Sequence, residues 1–94
     1  MKKIFIIYGH YNDKSFTCAI KDTFIESAKQ NGHEVDLADL YQDKFNPVFA
    51  GEKANEEIKS YQNRIEKADV IVFIYPIWWF RAPAIVEGFI DRVF

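Results

Sequence analysis

The sequence predicts an α/β fold: a small parallel sheet, truncated to about three strands, with flanking helices. Three observations carry this. Two continuous apolar runs, Lys3 to Tyr8 and Asp69 to Tyr75, have the composition of strands buried on both faces. The stretches between the strands place apolar residues at helical spacing. Strand and helix patterns alternate as β-α-β-α-β-α, an order that favours parallel strands joined by right-handed crossovers.

Each element has its own signal. The first strand stops at Gly9, and His10 to Lys14 is a polar loop. Ser15 is a good N-cap for a helix whose apolar residues are Phe16, Ala19, Ile20, Phe24 and Ala28. Asn31-Gly32 ends that helix. His33 to Leu40 alternates apolar and polar residues and reads as an edge-like second strand. Tyr41 to Gly51 is a loop marked by Asn46-Pro47, and Glu52 to Lys67 is rich in helix formers, with Ile58, Tyr61 and Ile65 on one face. Pro76 ends the third strand, and Trp78 to Arg81 is a short loop. Pro83 suits a first helical turn, with Ile85, Val86, Phe89, Ile90 and Val93 as the apolar face of the last helix.

Composition narrows the function classes. Ninety-four residues allow one domain, spanning 1–94. The chain carries 12 basic and 14 acidic residues without a long basic block, so nothing points to nucleic acid or an anionic membrane. The apolar run at the N-terminus is too short for a signal peptide, and no stretch is long enough to span a bilayer. The single Cys18 allows no internal disulfide, which suits a reducing compartment. A soluble cytoplasmic protein is the expectation.

In open α/β sheets ligands bind beyond the carboxyl ends of the strands, where the strand order reverses. Two loops fit that position. The first, Gly9 to Phe16, leads into a helix N-terminus, whose free N–H groups and dipole favour a phosphate. Ser15 and Thr17 add hydroxyl donors, and His10 adds a further donor. Taken alone, this loop is equally an ordinary capped helix beside an exposed histidine. The second loop, Pro76-Ile77-Trp78-Trp79-Phe80, gathers three large aromatic residues suited to a flat heterocycle. Taken alone, those aromatics are more simply core or interface residues. Both loops at one switch point favour a ligand.

These residues bring a family into view. His10, Ser15-Phe16-Thr17, the run Ala68 to Phe73, Pro76-Ile77-Trp78-Trp79-Phe80, Pro83-Ala84-Ile85 and Gly88 to Phe94 together resemble the NAD(P)H:quinone oxidoreductases, the DT-diaphorase-like enzymes of the flavodoxin-like fold. Asp39-Leu40-Tyr41 and Phe45-Asn46-Pro47 add to the likeness. The resemblance covers essentially the whole chain and is most specific from Ala68 to Phe94. It implies a flavin cofactor, FAD or FMN, with NAD(P)H as reductant and a quinone or similar small molecule as acceptor, in ping-pong two-electron hydride transfer. It also implies that His10, Ser15, Phe16 and Thr17 hold the flavin phosphate or pyrophosphate. Pro76, Ile77, Trp78, Trp79 and Phe80 would wrap the ring, with Trp79 and Phe80 walling the substrate pocket. Thr17 stands where the family often has Asn, and Glu87 where it commonly has Lys. Family members continue with two more strands and helices that supply a Gly-rich loop, so residues 1–94 correspond to the N-terminal half of a flavin-binding domain. No residue is assigned a catalytic role.

Rival readings fit less well. A short-chain flavodoxin would carry a Ser/Thr-Gly-Asn-Thr phosphate loop, and a receiver domain would carry Asp where Tyr75-Pro76 stands. His10, His33 and Cys18 lack metal-ligand spacing. Cys18 reads as a small helix residue, with no group placed to activate it. The alternative of a different class is a catalytically silent half-domain that folds by self-association. The outer edge of the third strand would lack a partner and holds no Pro or Lys, so a homodimer or higher self-association is expected. Two third strands could pair, or the family's own contact through the helices flanking the flavin site could form.

Overall fold

The computed structural model describes residues 1–49, 51 and 55–94. Six elements follow in order: β1 (Lys3–Tyr8), α1 (Phe16–Gln30), β2 (Glu34–Asp39), α2 (Glu56–Lys67), β3 (Val70–Ile74) and α3 (Ala84–Val93). The three strands form one parallel sheet in the order β2-β1-β3. The strand order therefore reverses at β1, between its two neighbours.

The ends of the helices follow from local chemistry. Ser15 caps α1 by accepting a hydrogen bond from the Cys18 N–H at 3.0 Å. Gly32, at φ 82°, takes the left-handed conformation just past the end of α1. Asn55 caps α2 through its side-chain oxygen, which accepts from the Ile58 N–H at 2.9 Å. Glu52, Lys53 and Ala54, where the sequence pattern starts this helix, lie outside the described residues. Pro83 is the residue before α3 and not part of its first turn, and its carbonyl accepts from the Val86 and Glu87 N–H groups.

The sheet has a packed cluster on each face. On one face Phe5 and Ile7 meet Ile58 and Tyr61 of α2 and Val86 and Phe89 of α3. On the other face Ile4, Ile6 and Tyr8 meet Cys18 and Ala28 of α1. Gly88 allows the first packing, because a Cβ there would overlap the backbone of Pro47. Gly9 does the same at the end of β1, where a Cβ would overlap the Val86 side chain.

Besides the place of Pro83, three sequence expectations change. β3 is not fully buried: Val70 is 40% exposed and Ile71 and Phe73 are each 37% exposed, because β3 is an edge strand with β1 as its neighbour on one side only. Ile90 sits on the predicted apolar face of α3 yet is exposed, since the sheet beneath that end stops at β3. The face that α1 turns inward runs through Cys18, Lys21, Ile25 and Ala28, leaving Phe16, Ala19 and Ile20 exposed. The helical period was right, but the face is rotated toward β2.

Candidate functional site

β1 and β3 end side by side, with Tyr8 paired to Ile74. The two loops that follow them therefore leave the sheet together. The Gly9 N–H donates to the Ile74 carbonyl at 3.0 Å and ties the loops at their root.

The first loop is held by its own polar side chains. His10 Nδ1 accepts from the Asn12 N–H at 2.9 Å, and Asn12 Oδ1 accepts from the Lys14 N–H at 2.9 Å. With Nδ1 engaged as an acceptor, the neutral imidazole carries its proton on Nε2 and keeps one donor. Ser15 Oγ is used as an acceptor by Cys18, so the Ser15 O–H remains a donor. The Phe16 and Thr17 N–H groups belong to the first turn, which has no intrahelical acceptors. The Phe16 ring faces solvent. A phosphate can be recognised by this set through hydroxyl, imidazole and main-chain donors at a helix N-terminus.

The second loop is a tight hairpin. Trp78 and Arg81 exchange main-chain hydrogen bonds, at 2.9 and 3.2 Å. Trp79 and Phe80 form its tip at φ 53° and 63°. Both lie in the left-handed region, where a side chain costs on the order of 1–2 kcal/mol per residue. Turns of this backbone are usually signalled by Asn-Gly, and that signal is absent, so the sequence pattern shows a loop but not its strain. The tip side chains are 88% and 98% exposed, so among the described residues nothing repays that cost by packing. Pro76 is half-buried at the root, and Ile77 is exposed.

The loops meet through rings. His10 stacks on Tyr11 with centroids 4.9 Å apart and touches Trp78 edge-on at 6.2 Å. Tyr11 also approaches Trp78 at 6.3 Å and Tyr41 at 6.3 Å. The sequence reading did not single out Tyr11, and it named Tyr41 only within the family-like segment Asp39-Leu40-Tyr41; neither was a candidate site residue. A cleft of about 500 Å³ lies along the hairpin, against Pro47, Glu87 and Gly88. A second, of about 450 Å³, runs from His10 past Tyr8 and Lys21 to Asp39. Burial is the main cause holding the Tyr8 hydroxyl above its ordinary titration range. For Lys21 burial acts downward, but the hydrogen bond and charge of Asp22, 2.8 Å away, raise it overall. The described residues hold no group of three or more His, Cys, Asp or Glu suited to a metal ion. No helix among them is long and apolar enough to cross a membrane.

A three-stranded parallel sheet in this order, with two ligand-type loops at the switch point, defines a class. The chain belongs to the flavodoxin-like fold family, which matches it over residues 2–94. Within that class the similarity runs to quinone reductases. It is 30% identical to the ribosyldihydronicotinamide dehydrogenase [quinone] of Mus musculus, over 98% of this chain and 51% of that protein. It is 38% identical to an uncharacterized NAD(P)H oxidoreductase of Haemophilus influenzae, over 94% of this chain and 48% of that protein. The solved NAD(P)H:quinone oxidoreductase from Methanothermobacter marburgensis superposes with a TM-score of 0.89 at 31% identity, over 98% of this chain and 53% of that one. The chain thus spans about half the length of the curated relatives it matches.

Proposed function

We propose that residues 1–94 are the N-terminal half of a flavin-binding domain acting as an NAD(P)H:quinone-type oxidoreductase in the cytoplasm. The observation that carries this reading is the contact between His10 and Trp78, which joins the phosphate-type loop to the aromatic hairpin. The names of the relatives support the reaction class. The donor set at the start of α1 fits a flavin phosphate, and the exposed hairpin tip fits a planar ring. His10, Ser15, Phe16 and Thr17 would hold the phosphate. Pro76, Ile77, Trp78, Trp79 and Phe80 would hold the ring through main-chain groups and aromatic faces. A bound flavin, FMN or FAD, supplies two-electron hydride chemistry between NAD(P)H and a small acceptor such as a quinone. The chain's own contribution is orientation. The hairpin, closed by the Trp78 and Arg81 main-chain hydrogen bonds, would hold one face of the ring, and Trp79 and Phe80 would exclude water from it.

Flavin titration followed by tryptophan fluorescence tests this. The only two tryptophans, Trp78 and Trp79, both lie in the hairpin, so a bound ring quenches the signal. Saturation without quenching beyond the inner-filter effect removes the ring from this loop. The second reading, a catalytically silent half-domain that folds by self-association, draws on the exposed edge of β3. A colourless protein that takes up no added flavin would favour it.

A further inference from the structure

We propose that the cleft of about 450 Å³ beside α1, at the carboxyl ends of β1 and β2, is a second binding site that takes a sugar ring through its vicinal hydroxyls. All of its lining lies between Tyr8 and Gln42, on the β2 side of β1 and away from the edge of β3. Tyr8 lines it, 2% exposed, and among the described residues its hydroxyl has no hydrogen-bond partner. A buried hydroxyl left in that state is one that a ligand can satisfy. Lys21 lies across the Tyr8 ring, with Nζ 4.9 Å from the centroid and a side chain only 13% exposed. Its ammonium gives one hydrogen to Asp22 at 2.8 Å and has two more to give. Asp39, the last residue of β2, also lines the cleft. Its Oδ1 accepts from the Gln42 N–H at 3.2 Å, which leaves Oδ2 to accept from a ligand. The Tyr11 and Tyr41 rings meet edge-on and complete the lining.

The chemistry of the walls selects the occupant. Asp13 and Asp39 outnumber Lys21, so a bare anion is repelled. An apolar ligand would strip water from Lys21, Asp39 and Gln42 and return no hydrogen bond. A neutral ring with several hydroxyls suits the whole set, because each hydroxyl both gives and takes a hydrogen. Asp39 accepts from one hydroxyl, the Lys21 ammonium donates to its neighbour, and a tyrosine ring offers an apolar face to the ring carbons. The position agrees. In doubly wound nucleotide-binding sheets, an acidic residue about 20 residues beyond the first βα turn takes the ribose hydroxyl. Asp39 holds the corresponding place, after α1 and at the end of β2. His10 lines this cleft and also braces the first loop. A phosphate on the Ser15 donors and a sugar on Asp39 can therefore belong to one molecule. That link rests on the phosphate reading of the first loop, whereas the sugar site stands without it.

Amide chemical shifts of the unmodified chain, titrated with ribose 5-phosphate, 2-deoxyribose 5-phosphate and inorganic phosphate, test the site. Ribose 5-phosphate is expected to shift Lys21, Asp39 and Gln42. It should bind about tenfold more tightly than the 2-deoxy compound, since a hydrogen bond to a carboxylate is at stake. Equal affinities, or shifts confined to residues 15–17, overturn the proposal. Inorganic phosphate should shift residues 15–17 alone and so reports on the phosphate reading by itself. If it shifts nothing, methyl β-ribofuranoside against its 2-deoxy counterpart puts the same question without phosphate: a preference supports the site, and none overturns it. Asp39→Asn keeps an oxygen for the Gln42 N–H and should abolish the preference while circular dichroism stays unchanged. A preference that survives overturns the role of Asp39. If that variant misfolds, Lys21→Met keeps the stem over Tyr8 and should weaken ribose 5-phosphate several-fold; unchanged affinity counts against the site. Competition against methyl β-ribofuranoside names the source of the sugar. Displacement by FAD and not by FMN supports a dinucleotide, and retention beside both supports a separate sugar. Displacement by FMN puts the flavin's own chain in the cleft and overturns the proposal.

Discussion

β1 and β3 are nearly the same strand by composition, and the fold treats them differently. Ile4-Phe5-Ile6-Ile7-Tyr8 pairs residue by residue with Val70-Ile71-Val72-Phe73-Ile74. Every residue of that β1 run is at most 7% exposed, whereas three of the five in β3 are 37–40% exposed. β1 has a strand on either side, α1 over one face, and α2 and α3 over the other. β3 has one neighbouring strand and thinner cover. An apolar run therefore states how much burial a strand requires, and the chain packed around it states how much it receives. In β3 the requirement exceeds the supply.

The largest test of that contrast is truncation of the two strands. Phe5→Ala should cost about 3–5 kcal/mol, because it opens a cavity where the ring is fully buried. A domain of this size has a total stability of roughly 5–14 kcal/mol, so this change removes a large share of it. Val70→Ala should cost less than about 1 kcal/mol, since much of its side chain is already in water. Urea unfolding compares them, and equal losses would erase the distinction between the strands.

A smaller effect acts on the cover of β1. Gly88→Ala places a methyl group against Pro47 backbone atoms that have little room to move. Lifting α3 from the sheet should cost about 1–3 kcal/mol. Amide exchange should then quicken in β1, beneath α3, more than at the already open edge of β3. Uniform quickening across the sheet would show that α3 does not cover β1 selectively.

Smaller again in its effect on the fold is Ile71→Lys. The site is exposed on an edge strand, so the isolated chain should lose no more than about 0.5 kcal/mol. Circular dichroism and urea unfolding should stay close to those of the unmodified chain, and a loss of more than about 1 kcal/mol would show that Ile71 is covered more than its exposure says.

The sequence made the fold legible wherever local pattern and final surroundings agree. The continuous run of β1, the Ser15 cap and the Gly32 stop can each be recognised within a few residues. Alternation and the crossover rule made the parallel pairing legible, while the order β2-β1-β3 was an expectation of the family resemblance. The exposure of β3 does not follow from its own composition, which is that of a central strand; the expectation of an unpartnered outer edge came from setting residues 1–94 against the longer family fold. The rotation of α1 was hidden for a related reason: Cys18 and Lys21 are less conspicuously apolar than Phe16 and Ile20, yet the sheet turns them inward. In the candidate site, both loops and their adjacency were legible from the position of the strands. The left-handed backbone of Trp79 and Phe80 was not, since no glycine or asparagine announces it. Tyr11 and Tyr41 join the ring cluster only through three-dimensional packing.

A last contrast concerns the final residue of β1. Among the described residues the buried Tyr8 hydroxyl has no hydrogen-bond partner, with the Cys18 and Ser15 side chains beside it, whereas the Tyr61 hydroxyl donates to Asp43 Oδ2 at 2.9 Å. Burial, first of all, raises both tyrosines above the ordinary value of 10.0, with Asp43 adding to the rise at Tyr61. A group raised in the folded state contributes stability that is whole below its unfolded pKa and falls as pH climbs through the folded one. Both tyrosines should therefore make the protein lose stability above pH 10, the unfolded value. Tyr8→Phe removes an unpaired buried hydroxyl, so at neutral pH it should be neutral or slightly stabilising, within about 1 kcal/mol. Tyr61→Phe gives up a hydrogen bond to a carboxylate and should cost about 1.5–3 kcal/mol at the same pH. Each variant should flatten the alkaline decline, because the phenylalanine has no proton to lose. Thermal unfolding as a function of pH reads both effects. A Tyr8→Phe protein that is clearly destabilised at neutral pH would mean that the hydroxyl has a partner after all, and that β1 is held at its carboxyl end by more than apolar packing.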